Sequence, residues 1–404
     1  MTETAKILAK AGIPFREYGV TAVDNYCGLS ATQSPDFYLV EGSIIDLARV
    51  FESLLYPSLP YADAGLEVTT DDSGARFLCV ENLAQEGLGS LAVTDFRRNP
   101  LDGRFYDPRG VYTALRERSF DPSGEDQENS LFEICLYLSR LKTSEATVLP
   151  KPLLPASPSK LWQKDLLSHI LQGPNSSAAL EFLRDSGFVS KFWPELEALV
   201  QVDHAKDCHP EGGGWSHTME ALMYRKSREL RLSLAILLHD IGKARSSSRE
   251  GHRFDKHAEI GAGMASRFLR DLGYSADIVN DVTFMVRWHM LPAALPRIPI
   301  ASVQNVVFDR RFPYVVGSFS VVTNSRRSRD LMSITLPAPH TGLFRNSRKT
   351  HSGRGMEESE QDIRQPLTAN SLSGFLITRS GYFCSYRFLP KPGHRPLAHL
   401  TRQR

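Results

Sequence analysis

Between Leu232 and Ala244 the chain reads LSLAILLHDIGKA, apolar on every side of a helix until it meets adjacent His239 and Asp240. A helix that is hydrophobic all round has to be buried. An unpaired carboxylate carried into such a helix is costly, so a compensating cation is expected beside it. One imidazole next to one carboxylate suits Mn²⁺, Fe²⁺, Zn²⁺, Ni²⁺ or Mg²⁺. A lone His-Asp dipeptide is common; the apolar setting and the Ile-Gly-Lys that follows make this one specific.

Further donors flank it. His217 lies 22 residues before His239, at the start of the amphipathic stretch SHTMEALMYRKSREL, and a short helical hairpin brings the two together. His257 opens HAEIGAGMASRFL, where Gly261 and Gly263 permit close helix approach. Asp281 and His289 sit eight residues apart in DVTFMVRWH, on about the same face of one helix. A single histidine is more often a satisfied polar group than a ligand, and it is the set that points to metal. The expected ligands are His217, His239, Asp240, His257, Asp281 and His289. Asp240 and Lys243, one turn beyond it, are expected to carry the chemistry, with His209 lining the pocket mouth.

A chain of 404 residues holds two or three domains, and 41% hydrophobic with 23% charged residues is ordinary for a globular protein. No apolar run approaches the ~18–20 residues of a membrane helix, and MTETAKILAK lacks a signal-peptide layout. The five cysteines are scattered without a C-x-x-C pair, which predicts a cytoplasmic location. The net charge of +2 is uneven. From Ser318 onward there are 14 Lys/Arg against 5 Asp/Glu, leaving 34 against 41 in the body. An acidic body argues against strong nucleic-acid binding.

Patterning predicts strands at Phe37–Val40, Arg76–Val80, Leu91–Phe96 and Arg104–Tyr106, and a helix from Ser43 through Leu55. Helices are expected at 131–141, 159–171, 176–186, 216–230, 232–242, 257–272 and 275–290. Gly187, Gly242 and Gly273 follow helical stretches as C-terminal caps. After Phe319 Ser, Arg, Pro and Gly dominate, with renewed patterning only over 374–388. That tail fits two readings: a disordered basic segment, or a shifted reading frame, which readily yields the codon-rich serine and arginine.

Phe192-Trp193-Pro194-Glu195-Leu196, His209-Pro210-Glu211-Gly212 and Trp215-Ser216-His217-Thr218 resemble the bacterial CCA-adding tRNA nucleotidyltransferase and poly(A) polymerase family that carries an HD domain. The order H…HD…H…D…H is similar to the HD superfamily of metal-dependent phosphohydrolases. That resemblance implies that His217, His239, Asp240 and Asp281 are core ligands, and that His257 and His289 hold a second ion. It extends to Tyr38–Leu47, similar to the family's glycine-rich nucleotide-binding turn, with Gly42, Ser43 and Asp46 at matching positions. Asp95-Phe96, Asn99, Leu101, Asp107-Pro108 and Gly110 are similar to its later head motif.

The departures fall on chemistry. Glu41 stands where the family has a second glycine and Ile45 where it has an arginine, so a triphosphate meets a carboxylate and loses a cation. No D-x-D pair for two Mg²⁺ occurs between Gly42 and Asp107. Arg140 is the only arginine in the neck stretches 136–141 and 161–167 that would meet an incoming base. The expected fold class is α+β: a degenerate nucleotidyltransferase-like α/β head (1–120), a helical neck (121–200), an HD metal-binding domain (201–318) and a basic tail (319–404). The expected function is metal-dependent hydrolysis of a nucleotide-type phosphomonoester or cyclic phosphodiester. The alternatives are a tRNA nucleotidyltransferase with a rearranged head, and a non-catalytic nucleotide- or RNA-binding homologue. A small phosphorylated substrate is expected, with tRNA less favoured and no membrane.

Overall fold

The computed structural model describes residues 2–29, 37–55, 66–70, 75–89, 91–121, 131–143, 147, 149, 151–202, 213–246, 248–249, 253–254, 256–295, 298–322, 375–377 and 383–385. It separates into two units, Met1–Thr335 and Leu336–Arg404. In the second, the strands Phe375–Ile377 and Phe383–Ser385 pair antiparallel, inside the stretch where patterning returns.

The first unit begins as α/β: α1 (Glu3–Lys10), β1 (Phe15–Tyr18), α2 (Gly19–Tyr26), β2 (Phe37–Glu41) and α3 (Ile44–Ala48). There follow β3 (Leu54–Leu55), β4 (Leu66–Thr70), β5 (Arg76–Val80), β6 (Arg97–Arg98), β7 (Phe105–Tyr106) and α4 (Tyr112–Glu117). The sheet order is β3-β4-β5-β2-β1-β6-β7. Among the described strands of this sheet, only β2 and β5 pair in parallel. Strand period explains why β2 reads as an unbroken apolar run. Phe37 and Leu39 face a core shared with the helices that follow, while Tyr38 and Val40 face a smaller one with Ala5, Leu8 and Leu47.

Two local expectations fail here. The helix begun at Ser43 stops at Ala48, because Leu54 and Leu55 pair with Thr70 and Thr69 as a strand. The segment read as a strand at Leu91–Phe96 is a single 3₁₀ turn over Ala92–Asp95. The buried Asp95 carboxylate accepts the Gly87 and Leu88 N–H groups and folds the chain back on itself. Buried Glu133 accepts the Leu91 N–H and the Thr94 hydroxyl from below.

The neck contains α5 (Leu131–Leu138), α6 (Lys160–Gln172), α7 (Ser176–Asp185), α8 (Phe188–Phe192) and α9 (Pro194–Glu197). Ser159 caps α6, accepting the Trp162 N–H. Two buried ion pairs fasten neck to head: Arg140 to Asp24 at 3.2 Å, and Arg76 on β5 to Asp165 on α6 at 2.6 Å. Arg140 also donates to the carbonyls of His169 and Leu136 and to the Ser139 hydroxyl. Burial raises the Asp24 carboxyl above the ordinary range despite the opposing charge of Arg140.

The last helices are α10 (Gly214–Tyr224), α11 (Leu230–Leu238), α12 (His257–Asp271), α13 (Ala276–Trp288), α14 (Leu291–Ala294), α15 (Gln304–Val307) and α16 (Phe312–Val322). α11 is packed by α6, α10, α13 and α16, and every residue from Leu232 to Leu238 is buried, as its all-round apolarity requires. One hydrophobic core runs without a break from Tyr18 to Val316, through head, neck and last helices alike. Gly187 and Gly273 occupy left-handed backbone (φ 83° and 79°) at helix ends, as expected. Among the described residues no helix is long and apolar enough to cross a membrane.

Candidate metal centre

The helix expected to continue to Gly242 ends at Leu238 and passes into a 3₁₀ turn, Ile241–Arg245. The break is what makes the His-Asp pair usable. Successive side chains on an α-helix point about 100° apart and do not meet. Asp240 leaves the helix at φ −104°, ψ 4°, and its Oδ2 comes to 3.0 Å from His239 Nε2.

Gly242 then has a steric task rather than a capping one. A Cβ there would lie 2.1 Å from the His257 carbonyl oxygen and 2.5 Å from the Gly261 nitrogen. Only glycine lets the turn and the first turn of α12 touch. Lys256, in left-handed backbone at φ 58°, swings the chain into α12. His257 thereby stands 3.6 Å (Nε2) from Asp240 Oδ1.

Four imidazoles surround the buried Asp240. On the Oδ2 side are His239 at 3.0 Å and His217, from α10, at 3.9 Å; on the Oδ1 side are His257 at 3.6 Å and His289, after α13, at 3.9 Å. His257 and His289 bring their Nε2 atoms within 3.2 Å of each other. Two donor groups result, His217–His239–Asp240 and Asp240–His257–His289, and Asp240 belongs to both.

The protonation pattern fits a divalent cation. His239 Nδ1 lies 2.8 Å from the Ile236 carbonyl and His289 Nδ1 lies 2.7 Å from the Val286 carbonyl. A carbonyl can only accept, so each Nδ1 carries the hydrogen and, in the neutral ring, Nε2 holds a lone pair. His239 then aims a lone pair at a carboxylate oxygen 3.0 Å away, an arrangement that repels unless a proton or cation sits with them. Burial pushes His289 down to about 3, so that ring is neutral near pH 7. Burial alone would raise the Asp240 carboxyl, yet positive charge placed at His239 (the proton or cation that site calls for) and at Lys243 holds it well below the usual carboxylate range. Lys243 is itself buried, its Nζ 2.7 Å from Asp240 Oδ2.

Asp281 is not brought into this cluster. Its carboxylate faces Arg231 of α11 (Nε–Oδ2 3.3 Å) and Arg310 (Nη2–Oδ1 3.7 Å). Eight residues on a helix rise about 12 Å and rotate about 80° past full turns, so Asp281 and His289 cannot reach one ion. Sequence reasoning missed Arg231, a partner set by α11–α13 packing that no local pattern displays. His209 lies outside the described residues.

In the head, the residues at the nucleotide-binding turn bond to one another. Ser43 donates its N–H (3.0 Å) and hydroxyl (2.7 Å) to Asp46 Oδ2, forming a capping box on α3, and Arg49 pairs with Asp46 Oδ1 at 3.0 Å. The Gly42 N–H goes to the Val80 carbonyl, and the Glu41 carboxylate accepts the Leu83 N–H. The Ser43 hydrogen bonds hold the Asp46 carboxyl below the ordinary range. Strands β3, β4 and β5 carry no aspartate, and Arg140 is occupied inside the neck seam.

Residues 215–309 match the family model described as HD domain. The Multifunctional CCA protein of Halorhodospira halophila is 32% identical over 135 residues, covering 33% of this chain and 32% of that protein. The CC-adding tRNA nucleotidyltransferase of Thermus thermophilus is 30% identical over 225 residues, covering 50% and 51%. The matches thus span about a third and about half of those relatives' lengths. Among solved structures, the Bacillus stearothermophilus CCA-adding enzyme in complex with CTP aligns at a TM-score of 0.41 and 14% identity, covering 79% of this chain and 76% of that one. Residues 215–309 are therefore an HD domain, set in an α+β chain that resembles the CCA-adding tRNA nucleotidyltransferases.

Proposed function

We propose that the HD domain is a divalent-metal phosphohydrolase acting on a nucleotide-type phosphomonoester or cyclic phosphodiester. The observation that carries this reading is the pairing of His239 Nε2 with Asp240 Oδ2 at 3.0 Å while His239 Nδ1 is committed to a carbonyl. His217, His239 and Asp240 would hold one ion, and Asp240, His257 and His289 a second. An ion so held supplies Lewis acidity toward a phosphoryl oxygen and lowers the pKa of bound water. Lys243 contributes a fixed positive charge at the same carboxylate, against which a substrate phosphate can be oriented. Its buried setting excludes water and strengthens that attraction. The free thiols Cys27, Cys79 and Cys135 accord with a cytoplasmic setting.

A second reading is tRNA nucleotidyl transfer by the head. What favours it is the naming of both relatives as CCA- or CC-adding proteins. What opposes it is physical: Glu41 beside the turn, Ser43 and Asp46 spent on each other, and strands without paired aspartates. On the same lineage argument, tRNA or a tRNA-derived 3′ end is a reasonable macromolecular source of the phosphoester. The two readings separate in paired assays on the full chain. One measures phosphate release from 2′,3′-cyclic and monophosphate nucleotides with Mn²⁺, Ni²⁺ or Mg²⁺; the other measures incorporation of CTP and ATP at a tRNA 3′ end. Metal-dependent release abolished by Asp240→Asn supports the first reading. Incorporation that survives Asp240→Asn, with no hydrolysis, supports the second.

A further inference from the structure

We infer that Arg231 and Asp281 form a register clamp that fixes His239 and His289 opposite each other across α11 and α13. Asp281 is then a positioning residue and not a ligand. The inference rests on the metal reading of the HD site.

α11 and α13 pack against each other, and their contacts match start to start and end to end, which gives the two helices a common direction. Arg231 and Asp281 meet at 3.3 Å, and eight residues further along both chains the His239 and His289 rings meet with centroids 5.4 Å apart. Equal spacing on parallel helices means that one contact sets the register of the other. Neither ring can correct an error in that register. Each Nδ1 is tied to a carbonyl of its own helix, Ile236 or Val286, so Nε2 moves with its backbone. A slip of one residue displaces a helix by about 1.5 Å, whereas metal–ligand distances tolerate only about 0.2 Å. The pair is suited to the task. The Asp281 side chain is 11% exposed, so its charge is little screened, and Arg310, 83% exposed, approaches only to 3.7 Å as a weaker partner.

The test measures Mn²⁺ affinity and stoichiometry by calorimetry on the full chain, with folded fraction followed by circular dichroism. Arg231→Met and Asp281→Asn should each weaken Mn²⁺ binding about tenfold, within the range for residues that couple to a site without touching its ligand. The double variant should be no weaker than either single one, and the number of ions bound should not change. Arg231→Lys, which keeps the charge, should recover part of the loss. In Co²⁺-loaded Asp281→Asn at saturation the visible d–d bands should keep their positions, because no ligand has been removed. Loss of one ion or a shifted band in Asp281→Asn, with Arg231→Met binding normally, would make Asp281 a ligand and overturn the clamp. Unchanged affinity in both single variants would overturn it as well. Where Asp281→Asn does not fold, the Arg231 variants, on a half-exposed side chain, carry the comparison. A wild-type chain that takes up no Mn²⁺, or His239→Ala binding as tightly as wild type, would instead overturn the underlying metal reading.

Discussion

His239 and His289 stand edge to face, ring centroids 5.4 Å apart at 84°, and each donates Nδ1–H to the carbonyl three residues before it. Both terminate helices, so the carbonyls they use are ones a helix end leaves without an intrahelical partner. The same bonds that finish α11 and α13 therefore present two Nε2 atoms to Asp240.

Metal uptake follows from that arrangement. The purified chain should carry or acquire roughly one to two divalent ions, as the shared carboxylate allows. The double variant His239→Ala/Asp240→Ala should carry none, as counted by inductively coupled plasma mass spectrometry. Equal metal content in the two proteins would end the assignment.

Gly242→Ala places a methyl group against backbone, not against a side chain that can rotate away. The loss of stability should be about 3 kcal/mol, at the upper end for overpacking, read from chemical denaturation. Mn²⁺ affinity should fall with it, since His257 is displaced along with α12.

In the head, no incorporation of CTP or ATP at a tRNA 3′ end is expected. A direct probe is the Asp46 carboxyl, whose folded pKa is depressed by Ser43. The sign is that of a depressed acid: the cap is fully present above the unfolded value and is lost as pH falls through the lower, folded one. Carbon-detected NMR should show Asp46 titrating below 3.8, Ser43→Ala should move it upward, and Mg²⁺-ATP should leave it in place. A nucleotide-induced shift at Asp46 would show that the turn still binds phosphate.

Residues beyond α16 should contribute nothing to the site. Phe312, Val315 and Val316 are buried in the core, so a chain stopped after Asn324 keeps them and should retain metal content and phosphatase rate. Loss of either on truncation would assign the tail a role. Tail peptides in mass spectrometry of the native protein would rule out a shifted reading frame.

Much of the centre was legible because burial and chemistry conflict in the sequence itself. LSLAILLHD asks for a buried carboxylate, and His217, His257 and His289 open or close helices whose apolar faces are plain. What stayed hidden depends on neighbours. The apolar face begun at Ile44 continues on paper to Leu54, but cross-strand pairing with Thr70 claims Leu54 first. Val93 reads as strand until Asp95 turns back to bind two amides seven and eight residues earlier. Asp281 matches a ligand by spacing, and only the approach of Arg231 from another helix shows where its charge goes.

The buried ion pair between Arg140 and Asp24 bears on what the head is for. Whatever chemistry the head retains, removing residues 1–120 would strip Asp24 from an arginine that is 3% exposed. Leaving such a charge unmatched costs roughly 3–5 kcal/mol, a large share of what holds a domain together. The same cut would open the sheet side of the core that α5 and α6 complete. The head thus acts as a scaffold that its neighbours cannot shed: the helical half is fitted to it, so this structural role holds whether or not the head transfers nucleotides.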